Sequence, residues 1–72
     1  MPKLPRISGN DLLRILTKHF GFRVLRQKGS HVTLTNDKVF ITVPLHPELD
    51  TGTLNAILKD ASIYREDFLK YL

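Results

Sequence analysis

The 72-residue sequence contains no cysteine and no tryptophan. The first absence removes disulfides, thiolate metal sites and cysteine nucleophiles from consideration. No apolar run is longer than three residues, so neither a membrane-spanning helix nor the core of a secretory signal is expected. The cytoplasm is the expected location. Acidic side chains are almost missing from the first thirty residues, where Asp11 stands against Lys3, Arg6, Arg14, Lys18, Arg23, Arg26 and Lys28. That segment carries +6 and the remainder −2, leaving the net +4 of the chain. A positive half favours an anionic partner, and nucleic acid is the first candidate. A chain this short also buries only ~60% of the surface exposed by its unfolded form. One domain over residues 1–72, with an open surface site rather than a large cavity, is therefore expected.

What is present orders itself along the chain. "MPKLPRI", residues 1–7, has two prolines and reads as an extended lead-in. Ser8 precedes Asp11 by three residues, close to a capping box, and Leu12, Leu13, Leu16 and Phe20 follow at helical spacing. A first helix over about 9–20 is expected, ended by Gly21 in a left-handed conformation. Residues 22–28 are rich in strand formers but alternate imperfectly, and Gly29-Ser30 breaks them. From His31 to Thr35 the alternation is clean. It puts Val32 and Leu34 on one face and His31, Thr33 and Thr35 on the other. Asn36-Asp37 marks a turn. Lys38 to Val43 reads as a third strand with Val39, Ile41 and Val43 on one face, stopped by Pro44.

A proline-containing loop then leads to "TLNAILKDA", where Leu54, Ile57, Leu58 and Ala61 form one helical face and Thr53 is the expected N-cap. A terminal segment, Arg65 to Leu72, puts Phe68, Leu69 and Leu72 on one side. The expected fold class is α+β, in α-β-β-β-α order with a short C-terminal helix. Short connections make the three-stranded sheet an antiparallel meander. One sheet face must cover both main helices, because nothing else can bury their apolar stripes, and the other face stays open.

His31 leaves the core on that open face, at the mouth of a cationic turn. Arg26 and Lys28 precede it by five and three residues, with Gln27, Gly29 and Ser30 completing the stretch "RQKGSH". A free histidine has a pKa of ~6.5 and can exchange a proton near neutrality. Beside a phosphate it suits acid–base chemistry on an RNA backbone, with arginine or lysine neutralising the developing charge. An ordinary exposed strand histidine is the alternative. His46, in the loop after the third strand, is either a loop-packing residue or the second group of the same site. His19 reads as a helix C-terminal residue near the last carbonyls. The spacing of the histidines with Glu48 and Asp50 fits no ligand motif, so no metal and no cofactor are expected. Ser30 beside His31 does not make a triad, since neighbours on a strand point to opposite sides.

Two stretches, "GFRVLRQKGSHVTL" and "VPLHPELDTGTLNAILKDASI", resemble the HicA (YcfA-like) toxin family of type II toxin–antitoxin modules. Three signatures, RQKGSH, VPxH and GTLxxILKxA, occur in order over nearly the whole chain, from about Ser8 to Leu72. The resemblance implies a fold like the double-stranded RNA-binding domain and a metal-independent endoribonuclease that cuts messenger RNA. It also implies a HicB-like antitoxin covering the active site. For the free chain, its size and short apolar runs make a monomer or small assembly with no membrane partner the expectation. By position, the family's catalytic histidine falls on His31. Gln27, Lys28, Gly29 and Ser30 match the lead-in and turn, while Gly52, Thr53 and Leu54 match the start of the second helix. Family members often carry glycine at the position of Ser62, so a different helix end, or an N-cap for the last segment, is expected there. A non-catalytic RNA-binding module and a protein-interaction domain with a basic face are the competing functions.

Overall fold

The structure, a computed structural model, describes residues 4–72. The elements run α1 (Gly9–His19), β1 (Arg23–Lys28), β2 (His31–Thr35), β3 (Phe40–Pro44), α2 (Thr51–Asp60) and α3 (Arg65–Leu69). The three strands form an antiparallel sheet in the order β1-β2-β3. This is the expected α+β architecture. Of the extended lead-in, Met1 to Lys3 lie outside the described residues. Leu4 to Ile7 are neither helix nor strand, and the Leu49 amide donates to the Ile7 carbonyl at 2.7 Å.

Helix α1 begins where the sequence provides a cap. Ser8 is extended and its Oγ accepts from the Asp11 amide at 3.0 Å. Arg14 donates to the Asp11 carboxylate from the next turn, and with Ser8 it holds that carboxyl below the ordinary carboxylate range. Leu12, Ile15 and Leu16 point into the core. Gly21, at φ +73°, reverses the chain, and the Phe22 amide returns to the Leu16 carbonyl at 3.2 Å. Phe22 is therefore buried ahead of β1 instead of opening it.

Across the ladder Val32 pairs with Val43 and Leu34 with Ile41, all four buried beneath α1 and α2. Strand β1 is irregular for a reason: its register slips between Val24 and Arg26, leaving Leu25 as a bulge. Its residues are exposed throughout, including Val24 and Leu25 on this edge of the sheet.

Four expectations need correction. Thr35 does not face solvent; it is only 2% exposed. Its hydroxyl donates to the Val39 carbonyl at 2.8 Å and accepts from the Asp37 amide at 3.0 Å. Asn36 Oδ1 takes the amides of Lys38 and Val39, both at 2.9 Å. Side chains thus satisfy the backbone that would otherwise extend the ladder, so β3 starts at Phe40, not Lys38, and it runs on to include Pro44. Third, α2 is capped by Asp50, three residues earlier than expected. The Asp50 carboxylate accepts from the Thr53 amide at 2.7 Å and the Thr53 hydroxyl at 3.2 Å, which lowers its pKa. Fourth, α3 stops at Leu69. Phe68 is fully buried and Leu69 half-buried, but Leu72 is exposed.

Ser62 neither changes the end of α2 nor caps α3, whose N-cap is Tyr64 without a side-chain bond. It adopts the glycine conformation itself, at φ +60°. The Ile63 amide donates to the Leu58 carbonyl at 2.9 Å and the Ser62 amide to the Lys59 carbonyl at 3.1 Å. These two bonds are the Schellman pattern, which favours glycine at this position. A left-handed residue with a Cβ costs about 1–2 kcal/mol, partly offset by the extra freedom glycine gains in the unfolded chain. Ser62→Gly is therefore expected to stabilise the fold by about 0.5–1 kcal/mol, read as a melting temperature raised by a few degrees. A lowered melting temperature would contradict this account of the helix end.

Candidate active site

Strands β1 and β2 are joined by Gly29 and Ser30 alone, with Lys28 paired to His31. Gly29 is at φ +59° and Ser30 is not left-handed, as in the II′ class of two-residue hairpins, whose twist matches that of the strands. Two bonds fix the turn. Gln27 Nε2 donates to the Gly29 carbonyl at 2.9 Å, and the Leu45 amide donates to the Ser30 carbonyl at 2.6 Å. The second bond carries the β2–β3 pairing one residue past Pro44, which itself lies opposite His31.

His31 is thus the central residue at the turn end of the sheet, between Lys28 and Pro44. Directly paired residues present side chains to the same face. The open face therefore carries Lys28, His31 and Pro44 in one row, and Arg26, Thr33 and Thr42 in the next. His31 is exposed and its ring makes no hydrogen bond or ion pair. Arg26 and Lys28 are exposed and unpaired as well, whereas Arg23 at the far end is held by Asp37 at 2.8 Å. The sequence-predicted stretch Arg26 to Ser30 is thus brought together with His31, although Gln27, paired with Val32, belongs to the covered face.

His46 comes to the same end of the sheet by a different route. Its side chain is exposed, and its carbonyl accepts the Gly9 amide at 2.9 Å. The start of α1 is thereby fastened to the loop that follows β3. Gly9 is buried, and a Cβ there would meet the Pro44 carbonyl oxygen and sit 2.8 Å from the Leu45 Cα. Alanine normally favours a helix over glycine by about 1 kcal/mol. Here backbone atoms block it, and overpacking costs about 1–3 kcal/mol. Gly9→Ala is expected to destabilise, while Gly52→Ala in α2, whose Cβ meets only Asp50 Oδ1 at 3.4 Å, is not. Urea unfolding of the two variants checks the sign; a stabilising Gly9→Ala would show that the helix and loop are not in contact.

His19 lies far from this end of the chain path and has another role. Its ring stacks on Tyr71, centroids 4.0 Å apart at 15°, and Phe20 meets Tyr71 edge-on at 5.5 Å. Residues beyond α3 are thus pinned to the end of α1, an aromatic contact that the sequence spacing does not announce. Among the described residues no group of histidine and carboxylate side chains is arranged to hold a metal, and no helix is long and apolar enough to cross a membrane. Phe40, which alternation with Val39, Ile41 and Val43 already sets on the opposite face, is exposed on the open side of the sheet.

An α-β-β-β-α chain with one sheet face buried and the other open and basic defines a small α+β protein built to present a surface. The family model of the HicA toxin of bacterial toxin–antitoxin modules matches residues 9–63, and the chain belongs to that family. It is thereby the toxin component of such a module, with an antitoxin as its partner. Among curated proteins and among solved structures, none matches the chain.

Proposed function

We propose that this protein is a metal-independent endoribonuclease that cuts messenger RNA, with His31 as the proton-transfer group. One observation carries the reading. The unpartnered ring of His31 stands on an open sheet face, cross-strand from unpaired Lys28 and one row from unpaired Arg26. A phosphodiester laid along that edge has two cations to neutralise it, and hydrogen bonds to a charged partner are the strong ones.

The chemistry follows from what RNA offers. His31 takes the proton of the 2′-hydroxyl, and the 2′-oxygen attacks the adjacent phosphorus. A new P–O2′ bond forms as the P–O5′ bond breaks. The 5′-oxygen leaves with a proton from a second group, giving a 2′,3′-cyclic phosphate and a 5′-hydroxyl. Lys28 and Arg26 stabilise the extra charge on the pentacovalent phosphorus. His46 is the candidate proton donor, since the Leu45–Ser30 bond fixes its loop beside the turn. Gly29 and Ser30 present the imidazole, and the rigid hairpin keeps it in place without burial. An antitoxin that covers this face would remove both cations and His31 from the substrate at once.

The test is incubation of the purified protein with RNA in the presence and absence of EDTA. Cleavage that survives EDTA is expected. Cleavage abolished by EDTA would overturn the metal-independent mechanism, and salt-sensitive binding with no cleavage would leave a non-catalytic RNA-binding module instead.

A further inference from the structure

We propose that Phe40 is a stacking platform for an unpaired base of the substrate, which makes single-stranded rather than duplex RNA the class this face accepts. The inference rests on the ribonuclease reading and adds a second contact point to it. Phe40 is the first residue of β3 and pairs with Thr35. Alternation with the buried Ile41 and Val43 places it on the open face, together with Thr42, Thr33 and His31. It is 70% exposed and takes no part in the buried core. Its cross-strand neighbour leaves the ring free, because the Thr35 hydroxyl is turned into the 36–39 loop.

A large aromatic ring held in water on a regular strand loses the apolar burial that phenylalanine normally gains in a core. Its surroundings select the occupant. The same face carries unpaired Arg26 and Lys28 along β1, with no acidic residue paired in the rows from His31 to Thr42, while in the ring's own row Arg23 is neutralised by Asp37 at 2.8 Å. That charge favours a polyanion, and the part of RNA that meets an aromatic face is a base freed from its neighbours. Bases in a duplex are stacked on one another and cannot reach the ring. Thr35 is four residue steps along β2 from His31, so the ring stands roughly 13 Å along the sheet from the imidazole. A strand bound at both points would place a flanking base on Phe40 while its cut phosphate lies at His31. Phe40 thus positions and selects the substrate without touching the reacting atoms.

The experiment measures binding in the His31→Ala background, where the RNA stays intact, using a single-stranded 12-mer with 2-aminopurine at successive positions. Phe40→Ala is expected to weaken binding about 5- to 100-fold and to remove the fluorescence quenching at one position, as loss of one base–aromatic stack does. Phe40→Trp is expected to keep both, and a duplex of the same sequence to bind equally with or without the ring. Circular dichroism melting confirms that each variant is folded. Equal binding of Phe40 and Phe40→Ala proteins to the single strand would overturn the inference and leave the ring to a protein contact. If the unmodified protein neither binds nor cuts the RNA, the ribonuclease reading itself fails, a result distinct from an idle Phe40 in an active enzyme.

Discussion

His31→Ala is expected to lower RNA cleavage by at least about 100-fold, and as much as 10,000-fold, the range a well-placed general acid or base contributes. The same change should convert a chain that arrests growth on induction into a harmless one. Its structural cost is expected to be small. The ring is exposed and makes no hydrogen bond or ion pair, so nothing in the fold depends on it. The backbone pairs of His31 with Lys28 and Pro44 do not need the imidazole. An unchanged melting curve with lost activity would therefore separate chemistry from folding. Equal toxicity of the two proteins, or equal harmlessness, would remove His31 from the mechanism. A loss of fold in this variant would contradict the exposed, unbonded placement of the ring.

The largest effect on stability is expected from Phe68→Ala. Phe68 is 0% exposed, yet it sits in a helix of only five residues, α3, that would not persist alone. The helix lies beyond the 9–63 match to the family, so this core residue is contributed from outside the family's common segment. Truncating a buried phenylalanine costs about 3–5 kcal/mol through lost burial and the cavity left behind. Whole domains are stable by only about 5–15 kcal/mol, and the smallest lie at the low end. Each kcal/mol shifts the melting temperature by about 4–8 °C at this size, so a fall of tens of degrees is expected. Tyr64→Ala, just ahead of the same helix but 76% exposed, should move the melting temperature by no more than a few degrees. Thermal melts of the two variants side by side check the contrast. A small shift for Phe68→Ala would mean that α3 is not part of the core.

How much of this could be read from the residues differs from place to place. The Leu12, Leu16 stripe and the Val32, Leu34 alternation each have one solution, since a one-residue slip would turn the apolar set to solvent. That alternation alone put His31 on the open face, while its pairing with Lys28 across the two-residue turn came from the structure. Thr35 broke the rule because its hydroxyl found two backbone partners in the following turn, an option alternation does not weigh. The start of α2 was misplaced because two residues, Asp50 and Thr53, can both cap, and the carboxylate takes the amide of the other. Ser62 shows the reverse case: the glycine conformation is kept and the residue tolerates it. One feature of the site end was not legible at all: the contact of Gly9 with Pro44 and Leu45 joins distant parts of the chain. Phe40, at the other end of the sheet, had its face set by alternation, but its exposure depends on what fails to cover it.

The central claim, proton removal from the RNA 2′-hydroxyl by His31, is tested most directly by one atom of the substrate. An RNA cut by the purified protein is resynthesised with a single 2′-deoxynucleotide on the 5′ side of the cut. Cleavage at that bond is expected to stop, while the parent RNA yields a 2′,3′-cyclic phosphate end detectable by mass. Undiminished cleavage of the 2′-deoxy substrate would show that another nucleophile attacks the phosphorus and that His31 does not act as proposed.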